Sequence, residues 1–343
     1  MKTTSGSAPT LAATVAPRLG VRLYGGLAPS HCVSLASAAE QAGFAALWFA
    51  ENPLERGVLP ALAACATATR RIELGIGVWN PFTKHPAQIA MEIGAFDELS
   101  GGRAVLGLGA GLAAPIQRLG IDNGRPLAAL RDAFQIVRGL LRGESVTHKG
   151  PVFSVDGAKL SYTPPRPDLP LLMAARGPRA LRLCGEIADG LMVSNMCPSG
   201  FARHALSITQ PPPRRVVQYA PCTVAPDRTA ALAAIKPVLA GMLKTFWALG
   251  QRVPAARVSL VDHSGIAAED FAATVARLEA GHSPLAAIDQ RFIDAFAVAG
   301  TPDDCRVRIA AYGAAGVTDL GLTFVGADPQ ADIAALGRAM VSA

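Results

Sequence analysis

Two glycine-bearing segments hold the residues with the clearest chemical use. The first is Leu74-Gly75-Ile76-Gly77-Val78-Trp79-Asn80-Pro81-Phe82-Thr83-Lys84-His85-Pro86. It reads as an apolar strand, a strand end loosened by glycine, and a polar turn that starts a helix. The second, Gly102-Arg103-Ala104-Val105-Leu106-Gly107-Leu108-Gly109-Ala110-Gly111, repeats that arrangement further along the chain. Glycine at a strand end takes backbone angles closed to other residues and lets a flat ligand approach closely. The pair predicts a floor for a planar cofactor at one rim of a parallel barrel. Gly77, Val78, Asn80, Gly109, Ala110 and Gly111 are its candidate contacts. Glycines needed only for tight packing at the rim are the plainer alternative.

A second constellation is Ala175-Arg176-Gly177-Pro178-Arg179, between a strand and a helix. Gly177 allows close backbone approach, Pro178 presets the first helical turn, and the following N–H groups point out unpaired. With two arginines beside it, this joint is the predicted phosphate site; a helix start with solvated arginines is the alternative. Gly107–Gly111 invites a dinucleotide reading, which fails. The GxGxxG fingerprint needs an acid about twenty positions on, at the end of the next strand, and Asp132 falls inside an amphipathic helix.

Glu51 follows the apolar run Ala46-Leu47-Trp48-Phe49, where a carboxylate can bond a polar ring edge or act as acid or base. His85 either lines the rim or merely neighbours a helix start. Tyr24 and Trp79 either wall a planar ligand or belong to the core. Asn195, in Ser194-Asn195-Met196, joins the rim set. There is no nucleophile elbow and no Ser/His/Asp order. The six cysteines and six histidines are scattered with no CxxC pair. That pattern predicts reduced core cysteines in a cytoplasmic protein and no metal. The chemistry then belongs to a bound organic cofactor, with Glu51, His85 and Tyr24 as candidate catalytic groups.

Alternating strand and helix patterns must position these residues. Eight strands are expected: Leu19–Leu23, Ala46–Phe49, Ile72–Val78, Ala104–Leu108, Leu171–Ala174, Leu191–Ser194, Val216–Thr223 and Asp319–Val325. Parallel strands buried on both faces read as apolar runs, as these do. Eight such strands with intervening helices predict an α/β fold, a (β/α)8 TIM barrel with insertions. Residues 145–165 interrupt the rhythm as a hairpin, with strands Val152–Val155 and Lys159–Tyr162 around Asp156-Gly157. Gln210-Pro211-Pro212-Pro213-Arg214 is a stiff surface loop. Residues 1–17 read as a flexible N-terminal extension, and residues 18–343 as a single barrel domain.

Of 343 residues, 50% are hydrophobic and 17% charged, enough for one large core. The net charge of +6 is diffuse; Arg70-Arg71 and Arg214-Arg215 are the densest basic pairs. That argues against nucleic acid and for a small anionic molecule. No apolar run reaches membrane-spanning length on this reading.

Taken jointly, Leu74–Val78 with Asn80–Pro86, Ser100-Gly101-Gly102-Arg103 with Gly107–Gly111, Gly177-Pro178 and Ala188-Asp189-Gly190 resemble the bacterial luciferase-like flavin-dependent oxidoreductases. The methylenetetrahydromethanopterin reductase-like branch is the nearest match. The likeness covers most of residues 19–200 and weakens to Ala299–Pro302 and Ala315–Val317. It implies a barrel that binds coenzyme F-420 or, as the alternative, FMN. It implies a non-prolyl cis peptide at Gly77–Val78 in a strand-three bulge behind the flavin, the cofactor phosphate at Ala175–Arg179, and Glu51 near the polar ring edge. The partner implied is a small organic substrate, and fold-level analogy adds a homodimer. Two acids of the reductase pattern are missing, with Arg22 and Leu112 in their places. That argues against the same pterin substrate and leaves the general acid open. An FMN-dependent monooxygenase and a non-catalytic flavin-binding protein are the competing functions.

Overall fold

The computed structural model describes residues 16–341. All but Ala16 and Pro17 of the expected N-terminal extension lie outside them. Eight parallel strands form the barrel: β1 Arg18–Tyr24, β2 Ala46–Ala50, β3 Glu73–Trp79, β4 Ala104–Leu108, β5 Leu171–Ala174, β6 Gly190–Val193, β7 Arg215–Val224 and β8 Asp319–Phe324. They pair in the order β7-β8-β1-β2-β3-β4-β5-β6, and β6 pairs with β7 to close the ring. Every residue of β2, β4 and β6 is buried, which explains their unbroken apolar runs.

The barrel interior is filled in layers. At the N-terminal end Arg215 bonds Glu73 at 2.6 Å and Asp319 at 2.8 Å, and Arg18 reaches Glu73 at 2.9 Å. Above them Trp48 and Tyr219 lie with ring centroids 6.4 Å apart, among Val105, Leu172, Met192 and Val217. Glycines make that layer possible. A Cβ on Gly75 would sit 2.3 Å from the Trp48 ring, and one on Gly107 would sit 2.2 Å from Met192 Sδ. The packing alternative therefore accounts for Gly75 and Gly107.

The β7–β8 connection departs most from a plain barrel. It contains the helices Arg228–Gly250, Pro254–Arg257, Ala268–Glu279, Pro284–Ala287 and Gln290–Phe296, and a π-helical turn at Val258–Asp262. A short strand, Val298–Gly300, then extends the sheet beside the end of β7. These helices share a second core around Ile235, Leu239, Leu243, Phe271, Phe292 and Phe296. Phe271 stacks on Trp247 at 5.8 Å and meets Phe292 edge-on at 5.1 Å. The helix Pro302–Ala314 follows, opened by a capping box between Thr301 and Asp304.

Two expectations are corrected. The hairpin pairs Val146–Lys149 with Ser154–Ala158, so its turn lies at Gly150-Pro151 and not at Asp156-Gly157. Asp132 explains the shift. Its carboxylate leaves the helix Pro126–Leu141, accepts from the N–H groups of Val152 (2.9 Å) and Phe153 (3.0 Å), and meets His148 Nε2 at 3.0 Å. Second, Arg228–Gly250 is long and apolar enough to cross a membrane. Here Ile235, Leu239 and Leu243 bury one face of it in the second core. Of the two readings open for Trp79, the core holds: it is fully buried.

Candidate functional site

The C-terminal ends of the strands converge on one mouth, where a parallel barrel builds its sites. Gly77 lies at the end of β3, Gly109 and Gly111 follow β4, and Gly177 follows β5. The Gly77–Val78 peptide is cis, and the β3–β4 register shifts between Gly77 and Trp79. Val78 lies over Gly109, where an added Cβ would come within 2.9 Å of it and 3.0 Å of Ala174. Val78 and Ala174 thus form an apolar floor above Met192 and Tyr219. The Tyr219 hydroxyl donates to the Gly77 carbonyl at 3.2 Å and occupies the space a side chain at Gly77 would need.

The rim between β3 and β4 is tied by Asn80. Its amide donates to the Ala110 carbonyl at 2.8 Å, and its Oδ1 accepts from the Phe82 N–H at 2.9 Å. Both polar ends of Asn80 therefore hold the loops together. Gly111 takes a φ of 61° beside it, a left-handed angle that favours glycine.

Glu51, just beyond β2, accepts from the indole N–H of buried Trp79 at 3.0 Å. Burial pushes its carboxyl above the usual range, against the Trp79 bond and the nearby Lys84 charge. Lys84 lies 4.6 Å over the Trp79 ring and pairs with Glu92. His85 caps the helix Pro86–Ser100, its Nδ1 accepting from the Ala87 N–H at 3.2 Å, and stands edge-on to Phe153. Burial lowers its imidazole pKa. Tyr24 is half-buried at the end of β1, over Gly26.

At the β5 end, Ala175 is buried, and Gly177 begins the helix Pro178–Ile187 with no side-chain cap. Arg176 turns away from that helix start. It donates to Ser259 Oγ at 3.0 Å and the Asn195 carbonyl at 3.3 Å, and lies over the Phe246 ring. Arg179 is exposed on the first turn. The side-chain Oδ1 of Asn195 is buried with no partner. Leu112 is 48% exposed at the rim, just before a short helix.

Thiol chemistry has no place at this mouth. All six cysteines are buried, and burial pushes the Cys65 and Cys184 thiols up to about 12. Three groups at the mouth escaped the sequence reading: Tyr219, Thr323 and Ser259. The period-2 alternation of β7, with Val217 and Tyr219 inward, is the signal that would have found Tyr219.

Comparison with known proteins extends the picture beyond residues 19–200. The sequence model of the luciferase-like monooxygenases matches residues 11–319. A 5,10-methylenetetrahydromethanopterin reductase of Methanolobus tindarius is 32% identical over 296 residues, covering 83% of this chain and 87% of that one. The same enzyme of Archaeoglobus fulgidus is 31% identical, covering 88% and 92%. The solved coenzyme F-420-dependent tetrahydromethanopterin reductase of Methanopyrus kandleri superposes with a TM-score of 0.83 at 25% identity, over 96% of this chain and 99% of that one.

Proposed function

The chain belongs to the luciferase-like monooxygenase family, and from that premise we propose that it is a coenzyme F-420-dependent oxidoreductase. It would move a hydride to or from a small organic substrate, with residues 18–343 acting as one catalytic unit. The observation that carries this reading is the β5 end of the mouth. There the helix start at Gly177-Pro178 has no side-chain cap, and Asn195, whose backbone carbonyl accepts from Arg176, keeps its buried Oδ1 without a partner. Free N–H groups suit a phosphate, and a lone buried acceptor suits a ligand donor. Two relatives that cover most of this chain are reductases, and one similar solved structure is a coenzyme F-420-dependent reductase.

When bound, the deazaflavin would donate or accept the hydride. The chain's own residues supply the rest. Val78, Ala174 and the Gly109–Gly111 backbone offer a flat apolar surface, and Arg179 with the adjacent N–H groups holds the phosphate. Glu51, with its carboxyl raised by burial, keeps a proton further toward neutral pH than an exposed glutamate does.

Titration of the protein with F-420 and with FMN, followed by fluorescence, tests the cofactor. Saturable F-420 binding, with FMN weaker by about tenfold or more, is expected. Tight FMN binding without F-420 binding would overturn the choice. Arg179→Ala should weaken F-420 binding by about 1–3 kcal/mol, the range for a charge-assisted contact. An unchanged dissociation constant would remove the phosphate from this joint.

Glu51→Gln should lower turnover by about 10²-fold or more, whereas Leu112→Ala should leave it nearly intact. The sign of the pH effect follows from the raised pKa. A step that needs protonated Glu51 slows as pH rises through that pKa, and the glutamine variant should lose this limb. A pH–rate profile with the same alkaline limb in both proteins would exclude Glu51 as the acid.

A further inference from the structure

Arg22 is a cation of the mouth that the account above does not use. It projects from β1 over the Tyr219 ring, 5.2 Å from the centroid. Nη1 donates to Thr323 Oγ1 on β8 at 3.2 Å, and Nε is buried without a partner. The other arginine inside the barrel, Arg215, is matched by Glu73 and Asp319. Arg166, beneath the rim helices, is matched by Asp97. Arg22 forms no hydrogen bond beyond Thr323 and no ion pair among the described residues. Glu55 contributes only at longer range and is itself exposed, bonded to Asn52. Arg22 is half-buried, its Nε enclosed; a charge so placed without a counterion is costly, and a guanidinium does not escape the cost by losing its proton.

The free edge of Arg22 carries Nε and Nη2, two parallel N–H directions that match the two oxygens of a carboxylate. Tyr219 beneath and Thr323 at the side fix the plane of that edge. Val78 and Ala174, across the mouth, pack against the same layer as Tyr219 and keep the floor apolar. One guanidinium in neutral surroundings balances one negative charge, which favours a carboxylate over a phosphate dianion. β1 lies four strands round the ring from β5, and therefore on the far side of the mouth from Gly177. We propose that Arg22 and Thr323 seat a carboxylate of the substrate, opposite the cofactor's phosphate, so that the enzyme acts on small organic acids. This rests on reading the mouth as the reaction chamber of an F-420 oxidoreductase, and it names the substrate class.

The test titrates F-420-loaded protein with a panel of monocarboxylates from acetate to benzoate, each against its own amide, and repeats the series without F-420. At least one acid should bind about tenfold more tightly than its amide. Arg22→Met should abolish that preference, and Arg22→Lys should keep part of it. The wild-type comparison of acid with amide needs no variant, so it stands even if Arg22→Met fails to fold. No acid preferred over its amide overturns the proposal. So does Arg22→Met that weakens F-420 binding while acid binding is unchanged, since the guanidinium then serves the cofactor. Acid preference in the cofactor-free series with no F-420 binding would support the Arg22 seat while the cofactor reading fails.

Discussion

Arg215→Met is expected to destabilise the protein by about 3–5 kcal/mol, the cost of leaving a buried charge without its partner. Arg215 is 15% exposed and holds two carboxylates on different strands, Glu73 of β3 and Asp319 of β8. Asp319 is the more deeply buried and loses most. The effect should depend on pH in a stated direction. Burial alone would raise the Glu73 carboxyl, but the Arg215 and Arg18 guanidiniums win and hold it below the usual range. A carboxyl with a lowered folded-state pKa stabilises the fold above its unfolded pKa of about 4.3. That stability is lost as pH falls through the folded value. The deficit of Arg215→Met should thus be greatest at neutral pH and shrink as Glu73 protonates. Urea unfolding at pH 7 and below pH 4 measures both; equal deficits would mean that charge is not the cause. Adding Asp319→Asn to Arg215→Met should recover part of the loss.

Gly75→Ala is the second large effect, at about 3 kcal/mol, the upper end of the range for overpacking a tight core. The new methyl would fall 2.3 Å from Trp48 Cε3 and 2.4 Å from Cζ3, and a rigid indole cannot bend aside. Nor can the ring slide freely, because its other edge already fills the space beside Gly20 and Gly321 that a side chain there would need, and Tyr219 stands across the barrel. Trp48→Leu should largely abolish the penalty, giving a coupling that a double-mutant cycle reads directly. Gly241→Ala is the control. It lies within Arg228–Gly250 with nothing inside 4 Å of its added Cβ, and should stabilise by about 0.5–1 kcal/mol. Gly75→Ala tolerated as well as Gly241→Ala would mean that the Trp48 layer is looser than described.

The barrel was legible because parallel strands covered on both faces must be apolar throughout, and β2, β4 and β5 carry that pattern. Helix starts were legible where proline marks them, as at Pro86 and Pro178. What stayed hidden depends on contacts distant in sequence. Asp132 moves a hairpin turn by holding Val152 and Phe153, twenty or so residues on. Gly75 and Gly107 stood in the segments that suggested a ligand floor, and their missing side chains make room for Trp48 and Met192. Asn80 looked like a ligand contact, and its amide ties Ala110. Arg22 stood out in the sequence only as a departure from a pattern; its isolation is visible only once β1, β7 and β8 are brought together. The β7–β8 insertion was least legible, because its helices bury themselves mainly against one another.

That second core has a bearing on how the protein breathes. A helical unit with its own aromatic centre can open as a foldon, at a lower free energy than the barrel needs. Arg176 crosses the boundary, on β5's loop at one end and bonded to Ser259 of the insertion at the other. Opening of the unit would break that bond and loosen the loop that leads into the helix start at Gly177. Occupancy of the β5 end and closure of the insertion are then thermodynamically linked, each favouring the other by mass action. Amide exchange should therefore slow across residues 228–296 before it slows in the barrel strands when the mouth is filled.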